Sequence, residues 1–388
     1  MNIAIVAVAY NRIDSLCRLL NSLNNAFYDE QVPLIISIDK SETNTIEDFS
    51  DKFNWLHGKK TVSKHAVNLG LRNHMMSLGT WFEQYDALII LEDDIVVAPS
   101  FYQYAKATIE KYINSDKIAG ISLYNFEVNY LNSRPFTPLK DEYDVYFMNC
   151  AMSWGQVWLK NTWQEFYNWY MNNTEFGYSP RIPKRLFDMG KNSWLKYHTR
   201  FCIENDKYFV YPYHSFTTNF GDQGMHNSRN SSLYQVSLQY GNISKFKLPE
   251  FGLNGTYYDE YFENKSLYQK VNLQESDCSI DLNGANNNLS KKRYWLTCKQ
   301  ANYKIIAKYA LKYKPIEMNV IKELQGEGLF LYDTFQIQKN HFKKEPNVLL
   351  YFYKIYSIES FIRNYGIKKA IKNIIKHYIK RLKQLCCL

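Results

Sequence analysis

Three consecutive carboxylates, Glu92-Asp93-Asp94, have the clearest chemical potential in this sequence. They follow the apolar run 87–91, which predicts a buried strand, and the chain is apolar again at 95–97. Charges at the end of such a strand repel one another and lose hydration, so a cation or ligand donors must compensate them. Mg²⁺ and Mn²⁺ prefer carboxylate, water and phosphate oxygens. This acidic triplet therefore predicts a metal and diphosphate site, and the alternative is a solvated acidic turn.

The apolar runs around the acidic triplet predict the strands that position it. Residues 3–9 form an uninterrupted run, as in a central parallel strand, and residues 34–38 form a second. Helical patterns separate these runs, which indicates right-handed crossovers in a doubly wound α/β sheet. Ligands of such sheets bind beyond the carboxyl ends of the strands, where Arg12, Asp39 and the triplet fall. We therefore expect three strand ends to meet at one ligand.

The composition indicates a globular protein with reduced thiols. The chain has 388 residues, 46% of them hydrophobic, enough for one large domain with additions or for two domains. Its seven cysteines are odd in number and lack a C-x-x-C spacing, which favours neither a zinc site nor a disulfide framework. We find no export leader and no apolar run of membrane-spanning length, so we expect a cytoplasmic protein.

The net charge of +9 is concentrated in the tail. Residues 360–388 contain eight basic residues and no acid, which leaves only +1 for the rest of the chain. This distribution argues against a nucleic-acid groove in the body of the protein. Apolar residues of the tail recur three or four apart, opposite the lysines, as in a basic amphipathic helix lying on an anionic membrane. We expect peripheral attachment to the inner face of the plasma membrane; the alternative is a helix that packs on the body.

The segment 68–74 is a loop that leads into a helix and places Arg72 near its start. No G-x-G-x-x-G follows the first strand, and no G-x-x-x-x-G-K-[ST] occurs, which removes the best signatures of dinucleotide cofactors and P-loop chemistry. Arg72 could hold an anionic or nucleotide group, or it could be an ordinary solvated side chain.

Two segments carry a resemblance to a known family. Residues 33–39 (Pro-Leu-Ile-Ile-Ser-Ile-Asp) and 91–104 (Leu-Glu-Asp-Asp-Ile-Val-Val-Ala-Pro-Ser-Phe-Tyr-Gln-Tyr) resemble the nucleotide-sugar half of the N-acetylglucosaminyltransferase I family. Those enzymes have a glycosyltransferase A fold and a Glu-Asp-Asp variant of the Asp-x-Asp motif. The resemblance covers roughly residues 1–228, and bacterial surface-polysaccharide glycosyltransferases of the same fold are similar too. It implies a doubly wound mixed sheet of the glycosyltransferase A type. Beyond the resemblance, segments 292–313 and 329–332 predict a smaller C-terminal subdomain.

The resemblance also implies roles for the residues at the strand ends. Asp94 would bind Mn²⁺ or Mg²⁺ directly, and Asp39 would accept a hydrogen bond from the uracil imide. The cation would neutralise the departing diphosphate. The remaining residues would contact the donor sugar, the ribose, the base and the diphosphate: Glu92, Asp93, Arg12, Arg72 and Asn73.

The resemblance also extends to the acceptor side of the site. Segment 146–156 resembles the part of the family that lines the acceptor site, and Trp154 in its loop is the candidate for stacking on a sugar, although such aromatics also form cores. The general base would be Asp188, in the nearest match to the family's Pro-Lys-x-Phe-Trp-Asp-Asp. Glu165 and His198 remain open as bases.

Segment 211–226 resembles the family's glycine-containing stretch that ends in a histidine. Its composition suits a loop that orders over the donor. His226 would complete the metal shell or touch the diphosphate, and the alternative is a surface histidine.

Together these patterns predict three regions, and the resemblance implies one leading function, including its inverting outcome. The regions are a nucleotide-sugar and acceptor domain (1–235), a loop-rich subdomain (236–350) and a basic helical tail (351–388). The predicted activity is metal-dependent, inverting transfer of a hexosyl or N-acetylhexosaminyl group from a UDP-sugar to a glycan hydroxyl, with a lipid-linked acceptor if the tail binds membrane, in surface polysaccharide synthesis. The alternatives are a sugar-phosphate nucleotidyltransferase, which would need a glycine-rich first loop, and a non-catalytic glycan-binding protein.

Overall fold

The computed structural model describes residues 1–179, 181–222, 231–286, 292–342 and 348–354, and single positions at 357, 362, 363, 366–368, 371 and 375. Within these residues the strands are β1 (Ile3–Ala9), β2 (Leu34–Ile38), β3 (Lys60–Lys64), β4 (Ala87–Glu92), β5 (Ile95–Val97), β6 (Ile118–Ser122), β7 (Val128–Asn129), β8 (Arg134–Pro135), β9 (Val145–Met148), β10 (Gln156–Leu159), β11 (Tyr208–Pro212), β12 (Thr217–Asn219), β13 (Tyr257–Tyr258), β14 (Cys278–Asp281), β15 (Tyr294–Thr297), β16 (Tyr303–Tyr309) and β17 (Leu329–Ile337). The helices are α1 (Ile13–Asn24), α2 (Thr45–Lys52), α3 (Gly70–Ser77) with a 3₁₀ extension (Leu78–Glu83), α4 (Phe101–Tyr112), α5 (Lys160–Met171), α6 (Lys184–Phe187), α7 (Leu195–Glu204), α8 (Ser266–Lys270), α9 (Met318–Ile321) and α10 (Val348–Tyr353).

The largest sheet has nine strands in the order β13-β9-β11-β6-β10-β4-β1-β2-β3. Strands β4, β1, β2 and β3 are parallel, whereas β10 runs antiparallel to both of its neighbours. Alternate side chains of the buried strands point into two separate cores, one under α1, α2 and α4 and the other under α3, α5 and α7. The predicted doubly wound mixed sheet is therefore confirmed.

The register of the central strands brings three loops to one edge. Ala9 of β1 pairs with Ile38 of β2, and Val8 pairs with Glu92 of β4. This register shows that the parallel strands end at the same level. Their apolar runs are buried side by side over the same length. The chain after each of them emerges over the same space.

A short strand pair adds a fourth segment to this edge. After Glu92 the chain turns and continues as β5, which pairs antiparallel with β12. The backbone N–H of Phe220 donates to the carbonyl of Asp94 at 2.8 Å. Phe220, directly after β12, therefore lies beside the acidic triplet, although it is remote from it in sequence.

A second, four-stranded sheet in the order β14-β15-β17-β16 forms the predicted smaller C-terminal subdomain. Its core contains Tyr351 and Phe352 of α10, so this helix, which crosses the predicted boundary at 350/351, packs on the subdomain. Most of the predicted tail helix lies outside the described residues, and its amphipathic character stays a prediction. None of the helices in the described ranges has the length and apolarity needed to cross a membrane.

Candidate functional site

The carboxyl ends of β1, β2 and β4 enclose a cavity of about 430 Å³. This volume is in the range of small-molecule binding sites. Five residues that the sequence singled out line it together: Arg12, Asp39, Glu92, Asp93 and Asp94. The expected convergence of three strand ends is thus present in the structure.

Arg12 contacts two members of the acidic triplet. Its Nη2 donates to Oδ1 of Asp93 and its Nε donates to Oδ2 of the same carboxylate at 3.3 Å. Its Nη1 donates to Oδ2 of Asp94, also at 3.3 Å. The Asp93 side chain is 6% exposed and that of Asp94 is 17% exposed, so Asp94 is the more accessible of the two.

Burial dominates the electrostatics of Glu92 and Asp93. It raises the pKa of Glu92 to about 8, helped by the charges of Asp94 and Asp93 and opposed by Arg12 and a hydrogen bond from Trp194. Burial also raises the pKa of Asp93 to about 6, against the opposing effect of Arg12. Burial by itself lowers the pKa of Arg12, but the two aspartates outweigh it and raise that pKa above its usual value. One guanidinium therefore compensates the triplet only in part, and a further cation would stabilise it.

The raised pKa of Glu92 predicts a specific pH dependence of stability. A carboxyl whose pKa is higher in the folded than in the unfolded protein loses stabilisation as pH rises from its ordinary 4.5 to about 8. The Glu92→Gln variant cannot ionise at this position. Its unfolding free energy minus that of the wild type should therefore increase from pH 5 to pH 8. Urea unfolding at both pH values checks this. The exposed Glu83→Gln is the matched control, and an equal effect of Glu92→Gln at both pH values would contradict the prediction.

Asp39 directly follows β2, and its carboxylate is held by backbone N–H groups that include those at the start of α3. Its Oδ1 accepts the backbone N–H groups of Lys40 at 2.9 Å and Leu69 at 2.8 Å, and its Oδ2 accepts that of Gly70 at 2.9 Å. The side chain is buried and faces the cavity. A carboxylate oxygen has two lone pairs, so Oδ2 keeps one acceptor position for a ligand when only contacts between described residues are counted.

His74 lies beside Asp39 in the cavity wall, and its ring contacts other side chains of the protein. Its Nε2 is 2.7 Å from Oγ of Ser37, and its ring packs edge-on against His65. Burial, followed by the neighbouring His65, lowers the pKa of His74 to about 4. His74 is therefore neutral at physiological pH and shapes the site without adding charge.

Asp222 also lines the cavity, and the sequence reasoning assigned it no role. Its Oδ2 accepts hydrogen bonds from Oγ of Ser15 at 2.7 Å and from Nη2 of Arg18, both on α1. The Arg18 guanidinium also covers the ring of Phe220 at 3.7 Å. The only sequence signal was its place in the glycine-containing segment 211–226, because the β12–β5 pairing that positions it is long-range.

Arg72 and Asn73 do not belong to the described lining of the cavity. Nη1 of Arg72 donates to the hydroxyl of Tyr197 at 3.0 Å, and the exposed Asn73 donates to the carbonyl of Leu69 at 3.1 Å. Their predicted contacts with the base and the diphosphate stay predictions.

Trp154 lies in an aromatic cluster between β6 and β12. Its ring packs against Tyr124 at 4.9 Å and Tyr234 at 4.7 Å, and it remains partly exposed. Thr217 donates to its backbone carbonyl at 2.6 Å, which fixes the loop. Sugar stacking by Trp154 stays a prediction.

The three candidate bases lie in different environments. Asp188 is exposed at the end of α6. Glu165 forms an ion pair with Lys207. His198 is buried against Phe166 at 4.2 Å, and burial lowers its pKa to about 3. None of the three belongs to the described cavity lining, so the assignment of the base to Asp188 stays a prediction.

The donor chemistry of the site fits a divalent cation that arrives with phosphate. Among the described residues no group of three or more His, Cys, Asp or Glu side chains forms a ready metal site. Mg²⁺ and Mn²⁺ nevertheless often take one or two protein carboxylates and complete their shell with water and phosphate oxygens. Asp94, accessible from the cavity, can supply such a carboxylate. His226, the other predicted ligand, lies outside the described residues.

Comparisons with known proteins find partial structural similarity. No family model matches the chain, and no curated protein matches its sequence. The chain is similar to S. aureus TarS 1–349, with 14% identity and a TM-score of 0.37 over 56% of this chain and 60% of that chain. The complex of that protein with UDP-GlcNAc matches with 14% identity and a TM-score of 0.38, over 56% of this chain and 58% of that chain. GalNAc-T7 with UDP, GalNAc and Mn²⁺ matches with 13% identity and a TM-score of 0.36, over 55% of this chain and 42% of that chain.

These matches therefore span at most 60% of the structures concerned. Similarity at this level carries no information about the roles of individual residues.

Proposed function

We propose that this chain is a glycosyltransferase of the glycosyltransferase A type that transfers a hexosyl or N-acetylhexosaminyl group from a UDP-sugar. The observation that carries the proposal is the convergence of Asp39, Arg12 and the acidic triplet on one cavity of about 430 Å³. Such a cavity offers Asp39 as an acceptor for a nucleobase, and Arg12 together with a cation bound at the triplet would balance the charge of the phosphates.

In this proposal each polar group has one task. Asp39 accepts the uracil imide N–H through Oδ2, because this oxygen receives only one of the three backbone N–H groups that hold the carboxylate in place. Arg12 donates to diphosphate oxygens, as guanidinium groups do in a planar, bidentate fashion. Glu92 and Asp93 hold the donor sugar and ribose. When bound at Asp94, Mn²⁺ or Mg²⁺ supplies the positive charge that stabilises the diphosphate leaving group.

The acceptor half of the proposal is supported by the sequence alone. We propose inversion at the anomeric carbon, with Asp188 as the base for a glycan hydroxyl. The basic pattern of residues 360–388 supports attachment to the inner, anionic face of the plasma membrane and thus a lipid-linked acceptor. We propose surface polysaccharide synthesis as the process, on the resemblance to bacterial enzymes of this fold.

Nucleotide binding tests the donor half directly. Isothermal titration with UDP in the presence of Mn²⁺ should give saturable binding, and CDP should bind about 10-fold more weakly or worse. Cytosine presents an acceptor at the ring nitrogen where uracil presents a donor, so its complex leaves Asp39 facing a lone pair. The absence of UDP binding, or equal affinity for UDP and CDP, would contradict the proposal.

A second candidate is a non-catalytic glycan-binding protein on the same fold. The observation that favours it is the absence of Asp188, Glu165 and His198 from the described cavity lining. Turnover of a panel of UDP-sugars, with and without glycan acceptors, separates the two. Release of UDP supports the transferase, and nucleotide binding without turnover supports the second candidate. Pyrophosphate release from UTP and a sugar phosphate would instead indicate a nucleotidyltransferase.

A further inference from the structure

We propose that Arg12 is a resident counter-ion that couples cation binding to nucleotide binding, an inference that rests on the proposed function. Arg12 contacts Asp94 and thereby opposes a divalent cation at that carboxylate. A diphosphate draws one arm of the guanidinium away from Asp94 and opens the carboxylate. The cation therefore binds weakly alone and strongly together with the nucleotide.

The contacts of Arg12 are unequal, and this inequality identifies the arm that moves. Nη2 and Nε together engage both oxygens of Asp93, which is a two-point attachment. Nη1 reaches only one oxygen of Asp94, at 3.3 Å, and this contact lacks the second hydrogen bond that supports the equally long one from Nε to Asp93. Asp93 therefore anchors the guanidinium, whereas the contact of Nη1 with Asp94 can be exchanged for one with phosphate.

The charge balance gives the coupling its sign. Among the described residues Arg12 is the only basic side chain paired with the acidic triplet. A divalent cation at Asp94 would meet the positive charge of Nη1 at close range. A diphosphate places negative charge between the two cations and removes this repulsion. Nucleotide binding therefore strengthens cation binding, and by linkage the cation strengthens nucleotide binding by the same factor.

The position of Arg12 allows this movement without damage to the fold. Arg12 is the residue before α1, and its carbonyl accepts the N–H of Leu16 at 3.0 Å, whereas its side chain makes no cap hydrogen bond. The side chain is 25% exposed and faces the cavity. A change at Nη1 therefore leaves the start of the helix intact.

The Arg12→Gln variant tests the coupling through binding alone. Titration of wild-type protein with Mn²⁺, followed by electron paramagnetic resonance of free Mn²⁺, should show an affinity at least 10-fold higher with saturating UDP than without it. In Arg12→Gln the affinity without UDP should rise about 3-fold or more and the affinity for UDP should fall. Coordination of Mn²⁺ by the diphosphate itself leaves some coupling in both proteins, so the decisive quantity is the decrease caused by the substitution.

Two further variants separate the charge of Arg12 from general damage. Arg12→Lys keeps the positive charge, so Mn²⁺ should bind it without UDP as weakly as it binds the wild type. Arg293→Gln is the matched control, because Arg293 also engages both oxygens of one aspartate, Asp333, but in the small sheet. It should keep the wild-type coupling. Thermal unfolding of each variant shows whether it is folded, and if Arg12→Gln is not, Arg12→Met, which also lacks the charge, takes its place.

Different results overturn this inference and the proposed function. If UDP binds the wild type but Arg12→Gln shows unchanged Mn²⁺ affinity and unchanged coupling, the counter-ion role is wrong and the proposed function stands. For Arg12→Lys, tighter Mn²⁺ binding without UDP than in the wild type also overturns the role. If UDP does not bind the wild type with Mn²⁺ present, the proposed function fails, and the inference fails with it.

Discussion

Replacement of Asp94 by asparagine should lower the rate of UDP-sugar turnover by on the order of 10²–10³-fold, the usual effect of removing one preorganised charge-stabilising group. Of the two aspartates that Arg12 contacts, Asp94 is the more exposed and is held through a single oxygen, so it is the group available to a cation. An amide keeps the size of the side chain but removes its charge. Initial rates of UDP release at saturating Mn²⁺ measure the effect.

Asp86→Asn provides the control for this substitution. Asp86 immediately precedes β4, at the opposite edge of the sheet, and its Oδ2 accepts the N–H of Asn2 at 2.8 Å. The same chemical change at that edge should leave turnover within about 2-fold of the wild type. Turnover by Asp94→Asn close to the wild-type rate would contradict the assignment of Asp94 as the cation ligand.

The Asp39→Ala variant should lose about 3 kcal/mol of unfolding free energy and all measurable UDP binding. Its carboxylate accepts three backbone N–H groups in a buried position, and each hydrogen bond to a charged group contributes about 1.5–3 kcal/mol, partly recovered here by water entering the cavity. Loss of the carboxylate also removes the acceptor proposed for uracil. Urea unfolding and calorimetric titration with UDP measure the two effects.

The surface variant Asp48→Ala is the matched control for Asp39. Asp48 is exposed in the first turn of α2, so its replacement should change stability by no more than about 0.5 kcal/mol. Asp39→Asn keeps one acceptor oxygen and should fall between the wild type and Asp39→Ala. A fully stable Asp39→Ala protein would mean that water satisfies the freed N–H groups, and retained UDP binding would exclude Asp39 as the uracil acceptor.

Much of the site was predictable because it depends on local pattern and on a general property of parallel sheets. The apolar runs that became β1, β2 and β4 each end in polar residues, and parallel strands place their carboxyl ends at one edge. This reasoning brought Arg12, Asp39 and the acidic triplet together without any contact information. The two-core architecture follows from the same runs, since strands buried on both faces need helices on both sides.

The parts of the site that sequence reasoning did not provide depend on long-range pairing. Asp222 reaches the cavity because β12 pairs with β5 and because Ser15 and Arg18 of α1 hold its carboxylate. The hydrophobic periodicity of the sequence does not predict an antiparallel pair formed by two three-residue strands. The same limitation applies to Arg72, whose direction is set by how α3 packs beside Tyr197.

The sequence alone determined the fold class, the edge of the sheet that holds the site and the chemical character of that edge. Those features follow from hydrophobic runs and residue types, which act locally. Only the tertiary structure decided that Arg12 bridges Asp93 and Asp94, that Asp39 is fixed by three backbone donors, and that Asp222 joins them. These contacts require distances between side chains on different elements, and such distances exist only once the sheet and its loops have packed.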